Sequence, residues 1–373
     1  MRLFHLLPVS LAAYVSAQDL TTVLANNNAT LSTLTTLLTL VPDVVQMLST
    51  AQNITILAPS DTAFANLLAR NPRSAELMNN RRALTGVLQY HVLAGRLLSS
   101  DFSATPKFPA TVLTTPFANV TGGQRVMLAM VNDTARVFSG YKQTAAVVTA
   151  DVEFDGGNVV HIIDTVLTVP ATPAQTAINT GLTSLAGALT NAGLVDPVNS
   201  LTDVTIFAPS NDAFEAIGSA LGTIAPQDLA NILGYHVLAQ QVRFSTDLLS
   251  ADQMTLSTLQ GQNITVRRDG TQLFVNSARV LIADVLVTNG VVHVLDNVLN
   301  PSNTTVTPDP AAATQAPAFT GVSSVVDSPF TAGIMPTATF VPAAVPLNGG
   351  ASAAVPTAAL VLAGGVAVLA ANL

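Results

Sequence analysis

The chain has 373 residues, of which 10% are charged and 49% hydrophobic, with 22 acidic against 14 basic side chains. An isoelectric point near 4.9 and only two lysines, Lys107 and Lys142, exclude nucleic-acid binding, which needs clustered cations to displace counterions. The absence of cysteine excludes thiol catalysis, zinc–cysteine sites and iron–sulfur clusters, and it demands domains large enough to hold together by packing alone.

In chain order, Met1 and Arg2 open a short basic start, an apolar run follows to Val15, and Ser16-Ala17 supply small residues. This is the pattern of a secretory signal, residues 1–17, cleaved after Ala17; a buried N-terminal helix is the alternative. From Leu20 to Leu48 apolar residues recur at three- and four-residue spacing, which predicts helix. Ile54 and Ile56 alternate as in a half-buried strand that stops at Ala58-Pro59, and Ser60-Asp61 offer a helix N-cap. Phe64, Leu67 and Leu68 then share a helix face, as do Leu84, Val87, Leu88 and His91. Val126–Met130 and Arg136–Phe138 flank an Asn132-Asp133 turn, and Gly157–Leu167 closes the unit as an apolar strand.

After Pro170–Pro173, a natural linker, the same series returns. Ala177–Leu194 predicts helix; Val204 and Ile206 a strand; Ser210-Asn211 a cap; Phe214, Ile217 and Leu221 a helix face. Ile264–Val266 and Leu273–Val275 flank Asp269-Gly270, and Gly290–Leu299 closes the second unit. The copies lie 150 residues apart at Pro59/Pro209, 145 at Tyr90/Tyr235 and 132 at His161/His293, so the first carries extra residues, mostly between Gly95 and Ala150. A period this long means two whole domains, 18–169 and 174–300, joined at 170–173. Helices first and strands later make each one α+β.

From 301 to 347 the composition turns to Pro, Ala, Thr and Ser, which predicts a disordered, extended stalk, either O-glycosylated or an undecorated flexible linker. Ala358–Leu373 is apolar and uncharged, behind a run of small residues. That order is the signal for a glycosylphosphatidylinositol anchor, attached at Asn348 with Gly349, Gly350, Ala351 and Ser352 as neighbouring choices, and with 349–373 removed. A spanning helix or tail anchor is the alternative. Six Asn-x-Ser/Thr acceptors occur, at Asn28, Asn53, Asn119, Asn132, Asn263 and Asn303, most but not all of them expected to carry glycans.

Four of the five histidines fall in paired positions, His91 with His236 and His161 with His293, and Asp164 and Asp296 follow the latter pair by three residues. A metal site needs three or four converging ligands, whereas partly enclosed histidines bonded to backbone account for both positions. No nucleophile elbow, phosphate loop or His-Glu-x-x-His helix is present, so no catalytic, cofactor-binding or metal residue is expected.

The repeated blocks resemble the fasciclin-domain family: Thr55–Phe64 and Thr205–Phe214, the Tyr-His pairs Tyr90-His91 and Tyr235-His236, and the closing Gly157–Leu167 and Gly290–Leu299. The resemblance covers almost all of 18–300. It implies two tandem domains, each a helical cap on a β-sandwich-like wedge, with Tyr90, His91, His161, Asp164, Tyr235, His236, His293 and Asp296 mainly structural and an adhesive role as their alternative. The acidic-aliphatic partner that accompanies integrin binding in some animal members is missing, so integrin recognition is not carried over. The resemblance further implies a non-enzymatic glycoprotein on the outer leaflet of the plasma membrane or in the cell wall. It would contact surface or matrix proteins or glycans, without cofactor. The alternative is a binding module for a small apolar molecule or glycan.

Overall fold

The computed structural model describes residues 18–70 and 74–336; the signal segment with its cleavage after Ala17, the anchor position Asn348 and the apolar tail lie outside the described residues. Among the described residues the first domain has six strands: β1 (Ile54–Pro59), β2 (Val92–Ala94), β3 (Met127–Val131), β4 (Thr134–Phe138), β5 (Thr144–Phe154) and β6 (Asn158–Ile163), in the order β2-β1-β6-β5-β4-β3. The second has seven: β7 (Val204–Pro209), β8 (Val237–Leu238), β9 (Gln253–Ser257), β10 (Asn263–Asp269), β11 (Gln272–Val275), β12 (Ala278–Val287) and β13 (Gly290–Leu295), ordered β8-β7-β13-β12-β11-β10-β9. The duplication read from the sequence is therefore a duplication of topology. In each copy the first strand pairs in parallel with the last, Leu57 opposite His161 and Phe207 opposite His293.

The wedge comes from one long strand that serves two layers. Thr144–Ala146 of β5 pair with β4, and Val147–Phe154 pair with β6 through two register shifts. Bulges of this kind bend a strand and increase its twist. Asp151 sits at the bulge of β5 with φ +59° and Asp284 at that of β12 with φ +61°, a left-handed geometry that short polar side chains tolerate best. The Asn132-Asp133 turn forms as the sequence predicts, both residues with positive φ. In the second copy the hairpin lies one position later, because Asp269 pairs with Gln272 and leaves Gly270-Thr271 as the turn.

The helical cap departs from the sequence reading in its breaks. The stretch expected from Leu20 to Leu48 is three helices, Leu20–Asn26, Asn28–Thr39 and Pro42–Thr50; its counterpart is Pro173–Asn179, Thr183–Asn191 and Val195–Ser200. Apolar spacing fixes which face is buried but is blind to a chain reversal at Pro42 or at Gly181, where φ is +84°. Ser60 and Ser210 cap their helices as expected, each hydroxyl accepting from the N–H three residues on. Their neighbours do something else. The Asp61 carboxylate accepts from the N–H groups of Ser32 and Thr33, and the Asn211 amide oxygen from that of Ser184, so each strand end ties down a second helix.

The linker at 170–173 is packed: Pro170, Ala171 and Pro173 are buried, Pro173 opens a helix, and the Ala171 carbonyl accepts from Thr288 N–H. The proline-rich segment forms no helix or strand over its described part, 301–336, as its composition dictates, yet it lies along the second domain as a strap. Gln315 N–H donates to Asp296, Arg279 donates to the Ala312 carbonyl, and Val325 N–H donates to the Glu215 carbonyl. Phe319, Val322, Phe330 and Ile334 pack on the core, with the Phe330 ring edge-on to Phe214 at 6.2 Å. Gly187 permits this contact, since a Cβ there would stand 1.8 Å from the Phe330 carbonyl oxygen. In the first domain Phe64 instead shares a hollow with Met78 of the short helix Ser74–Asn79.

Removing the strap would uncover Phe214 and strip Asp296 of a hydrogen bond. Full burial of one large apolar side chain contributes about 1.5–3 kcal/mol, and the strap supplies four partly buried ones against the entropy of ordering it. A chain ending at Asn300 is expected to unfold in its second domain at a Tm lower by at least about 4 °C than one ending at Pro336. Scanning calorimetry of the two would read it; equal melting curves would show that the strap contributes nothing.

Candidate functional site

The motif residues form two sealed knots beside the parallel strand pair, and both knots occur twice. In the first, His91 follows the helix Arg81–Tyr90, and its Nδ1–H donates to the Val87 carbonyl at 2.7 Å. Its Nε2 accepts from Leu167 N–H at 2.9 Å, beyond the closing strand. His236 repeats the arrangement with Ile232 (2.8 Å) and Leu299 (2.9 Å). This pairing defines the Nδ1–H tautomer of a neutral ring. Burial pushes both imidazoles down to a pKa of about 4, with the carbonyl bond opposing only in part.

The preceding tyrosines are fully buried, and their hydroxyls donate to the carbonyls of Arg125 and Asn263 at the far side of the domain. A partner at the surface therefore meets neither ring of the Tyr-His pairs. Burial holds the Tyr90 phenol well above its ordinary range.

The second knot has the opposite tautomer. His161 on β6 donates from Nε2 to the Leu97 carbonyl (2.8 Å) and accepts at Nδ1 from Asp151 N–H (3.2 Å). His293 on β13 does the same with Arg243 (2.8 Å) and Asp284 (3.4 Å). The bulge aspartates in turn accept from the N–H and hydroxyl of Ser99 and of Ser245. Sequence reasoning missed these serines and aspartates. The signal was present in the repeated Ala150-Asp151 and Ala283-Asp284, but not the partner that each aspartate finds.

Asp164 and Asp296 do not join the histidines three residues before them. Each takes a backbone N–H of the neighbouring strand, Ala146 and Arg279. Asp164 is exposed, whereas Asp296 is buried under the strap, and burial raises its carboxyl. Among the described residues no three histidine or carboxylate side chains converge as metal ligands.

The two domains share a continuous seam. The loop Leu113–Gly123 of the first reaches the second: Asn119 N–H donates to the Thr288 carbonyl (2.7 Å), its side-chain amide to the Leu201 carbonyl (3.0 Å), and Thr121 N–H to Asp203 (2.7 Å). The buried Lys142 ammonium donates to the Ala283 carbonyl at 2.6 Å, and burial lowers its pKa against the opposing pull of Asp284. Phe108 and Phe244 stack across the seam, ring centroids 4.0 Å apart. The six glycan acceptors divide accordingly. Asn28, Asn53, Asn132 and Asn263 are exposed; Asn119 and Asn303 are half-buried, with their amide nitrogens given to Leu201 and to the Ala318 carbonyl.

Comparison with the family model agrees with two units of one kind. The family model described as "Fasciclin domain" matches residues 29–170 and 180–301. A "Fasciclin-like arabinogalactan protein" of Arthroderma benhamiae is 35% identical over 306 residues, covering 82% of this chain and 72% of the relative. The "Fasciclin-like arabinogalactan protein elcF" of Phaeosphaeria nodorum is 33% identical over 305 residues, covering 80% and 93%. Among solved structures, a FAS1 domain pair from the insect cell adhesion molecule Fasciclin I aligns over 73% of this chain and 98% of its own, at 20% identity and a TM-score of 0.35.

The neutral rings carry a pH dependence whose sign is fixed. An unfolded histidine titrates near 6.5, so between pH 6.5 and about 4 the unfolded chain binds protons that His91 and His236 refuse when folded. Stability then falls as the pH falls through this window and loses nothing further from these rings below it. Titration near 4 in place of 6.5 corresponds to about 3 kcal/mol per ring. Urea unfolding at pH 7, 6, 5 and 4.5 is expected to show this decline, flattened in a His91→Gln/His236→Gln chain whatever its absolute stability. An unchanged slope would place the effect elsewhere.

Proposed function

The chain belongs to the fasciclin-domain family, and from that premise we propose that it is an extracellular cell-surface glycoprotein mediating adhesion or cell-wall and matrix contact by binding, without catalysis. The observation that carries this reading is the enclosure of the family motifs. Every tyrosine and histidine of the two motif blocks is buried, with its polar atoms bonded to backbone, so these residues maintain a body and leave recognition to its outer surface. The relatives' name, arabinogalactan protein, speaks for glycan on such a surface.

On this reading the chain is secreted after cleavage behind Ala17 and retained by a lipid at Asn348. Asn348 lies twelve positions after Pro336, the last described residue of the strap. A fully extended chain spans at most about 3.6 Å per residue, so the body would stand no more than about 40 Å from the lipid. A stalk free from residue 301 would allow several times that. A body held this close favours contacts made in parallel by many copies on one surface, where weak single bonds add through avidity.

The glycans should follow the geometry of the acceptors. Glycopeptide mapping of the secreted protein is expected to find Asn28, Asn53, Asn132 and Asn263 occupied and Asn119 and Asn303 bare, because a glycan on the latter two would displace hydrogen-bonded amides from the seam and the strap. Full occupancy of Asn119 in the folded protein would contradict the packed seam. For the function itself, phosphatidylinositol-specific phospholipase C on intact cells should release the glycosylated chain and reduce attachment to matrix-coated surfaces. Cells deleted for the gene should show the same loss. Unchanged attachment in the deleted strain would remove the adhesion reading.

A further inference from the structure

The duplication allows the two copies to be used as controls for one another, and they differ in one surface groove. In the second domain the helices Val195–Ser200 and Pro226–Gly234 leave between them an open cleft of about 320 Å³, against about 50 Å³ for the core hollow lined by Leu185, Leu189 and Val292. The first volume lies in the range of sites that take small organic molecules, about 300–1,000 Å³; the second holds no more than a water or two. Val198, Leu201 and Leu233 line the groove, Leu259 stands at its rim with 48% of its surface exposed, and no charged side chain faces it. Its polar groups are the amides of Asn231 and Gln260, and neither side-chain nitrogen donates a hydrogen bond within the described chain.

The first domain shows what fills this position. Asn231 corresponds to Gly86, four residues before the motif tyrosine in each copy. On Gly86 lies the ring of Phe117, so close that an added Cβ would stand 3.2 Å from three of its carbons, and Arg82 covers the ring at 5.8 Å from its centroid. Phe117 comes from the loop that the second copy lacks. Thr111 N–H bonds to the Gln124 carbonyl across twelve intervening residues, whereas Thr258 N–H bonds to the Gln262 carbonyl across three. Without that loop the second domain has no aromatic plug, and the seat stands open.

We propose that the groove between Val195–Ser200 and Pro226–Gly234 is a binding site for a small neutral aromatic molecule, whose ring takes the place that Phe117 occupies in the first domain. The aliphatic walls bury the ring faces, and the lack of charged lining selects against ionised ligands, which would lose hydration without compensation. At the rim Asn231 offers one acceptor and two donors, and Gln260, whose side-chain oxygen accepts from Gln262 N–H, offers two donors, suited to a hydroxyl or carbonyl substituent. The groove also abuts the seam: the carbonyl of Leu201, one of its walls, accepts the Asn119 amide.

The test uses the neutral fluorophore N-phenyl-1-naphthylamine and the purified secreted protein, which has no tryptophan to interfere with the emission. Saturable binding of one equivalent is expected. Asn231→Phe and Leu259→Phe, both at exposed positions, should weaken it at least tenfold while leaving the melting temperature within a degree or two. Phe117→Ala, which opens the corresponding seat in the first domain, should raise the stoichiometry to two. No saturable binding by the native protein, or binding indifferent to both filling substitutions, overturns the proposal. Because the assay involves no cells, its failure leaves the adhesion reading standing, and loss of adhesion leaves the groove standing.

Discussion

An imidazole enclosed without a counter-charge has to stay neutral and has to satisfy both ring nitrogens at once, and this pair of demands organises each domain. His91 meets them by joining the last turn of a helix to a backbone N–H 76 residues further on; His236 does so across 63. A neutral ring with one donor and one acceptor fits a carbonyl on one side and an N–H on the other and no other combination. The ring therefore fixes the distance and orientation between the helical cap and the closing strand. In a chain without cysteine these bonds take the topological place of a cross-link, though each stabilises by only about 1 kcal/mol and depends on the enclosing core. His161 and His293 likewise bond backbone through both ring nitrogens, at the bulge and in the opposite tautomer, and so the parallel strand pair is held by both sets of rings.

With the interior of both copies held to one plan, their differences collect on the surface, and there they are used. Asn53 and Asp203 occupy equivalent positions with the same φ of +54°. In the first domain that position is an exposed glycan acceptor; in the second it receives Thr121 across the seam. The inserted loop of the first copy plugs its own groove with Phe117 and docks onto its neighbour with Asn119. Its absence from the second copy leaves one groove unplugged. A single length difference thus produces both the joint between the domains and an asymmetry in what each domain can bind.

How much of this was legible follows from the range over which each signal acts. The presence of the strands, the Ser60 and Ser210 caps, the Asn132-Asp133 turn and the burial of the motif histidines rest on local or periodic signals. The alternation at Ile54/Ile56 and Val204/Ile206 misled in one respect: it reads as a half-buried strand, whereas both faces of β1 and β7 are buried, because the Thr55 and Thr205 hydroxyls are satisfied by the Gly95 and Gln241 carbonyls. The roles of Asp61 and Asn211 were hidden because each caps a helix about 28 residues upstream rather than its own. Asp151 and Ser99 read as unremarkable polar residues until the bulge brings them together. The strap was hidden for a different reason: proline and threonine reveal that a segment cannot build a core, but not that four spaced apolar residues, Phe319, Val322, Phe330 and Ile334, can lean on one already built. Composition averages over the residues that matter.

The distribution of polar decoration gives the two domains different tasks on the proposed reading. Three of the four exposed acceptors, Asn28, Asn53 and Asn132, belong to the first domain, and Asn263 alone to the second. The second domain carries the strap, which brings the chain toward the proposed lipid, and the open groove. On that reading a body tethered through its second domain presents the first one, with its three exposed acceptors, away from the lipid. The groove then lies on the domain nearer the membrane, where a neutral aromatic ligand is sheltered from the glycan layer. The packed seam makes this arrangement rigid: with Lys142, Asn119 and the Phe108–Phe244 stack crossing between the domains, a load on the outer domain passes to the tether through packed structure instead of a loose hinge.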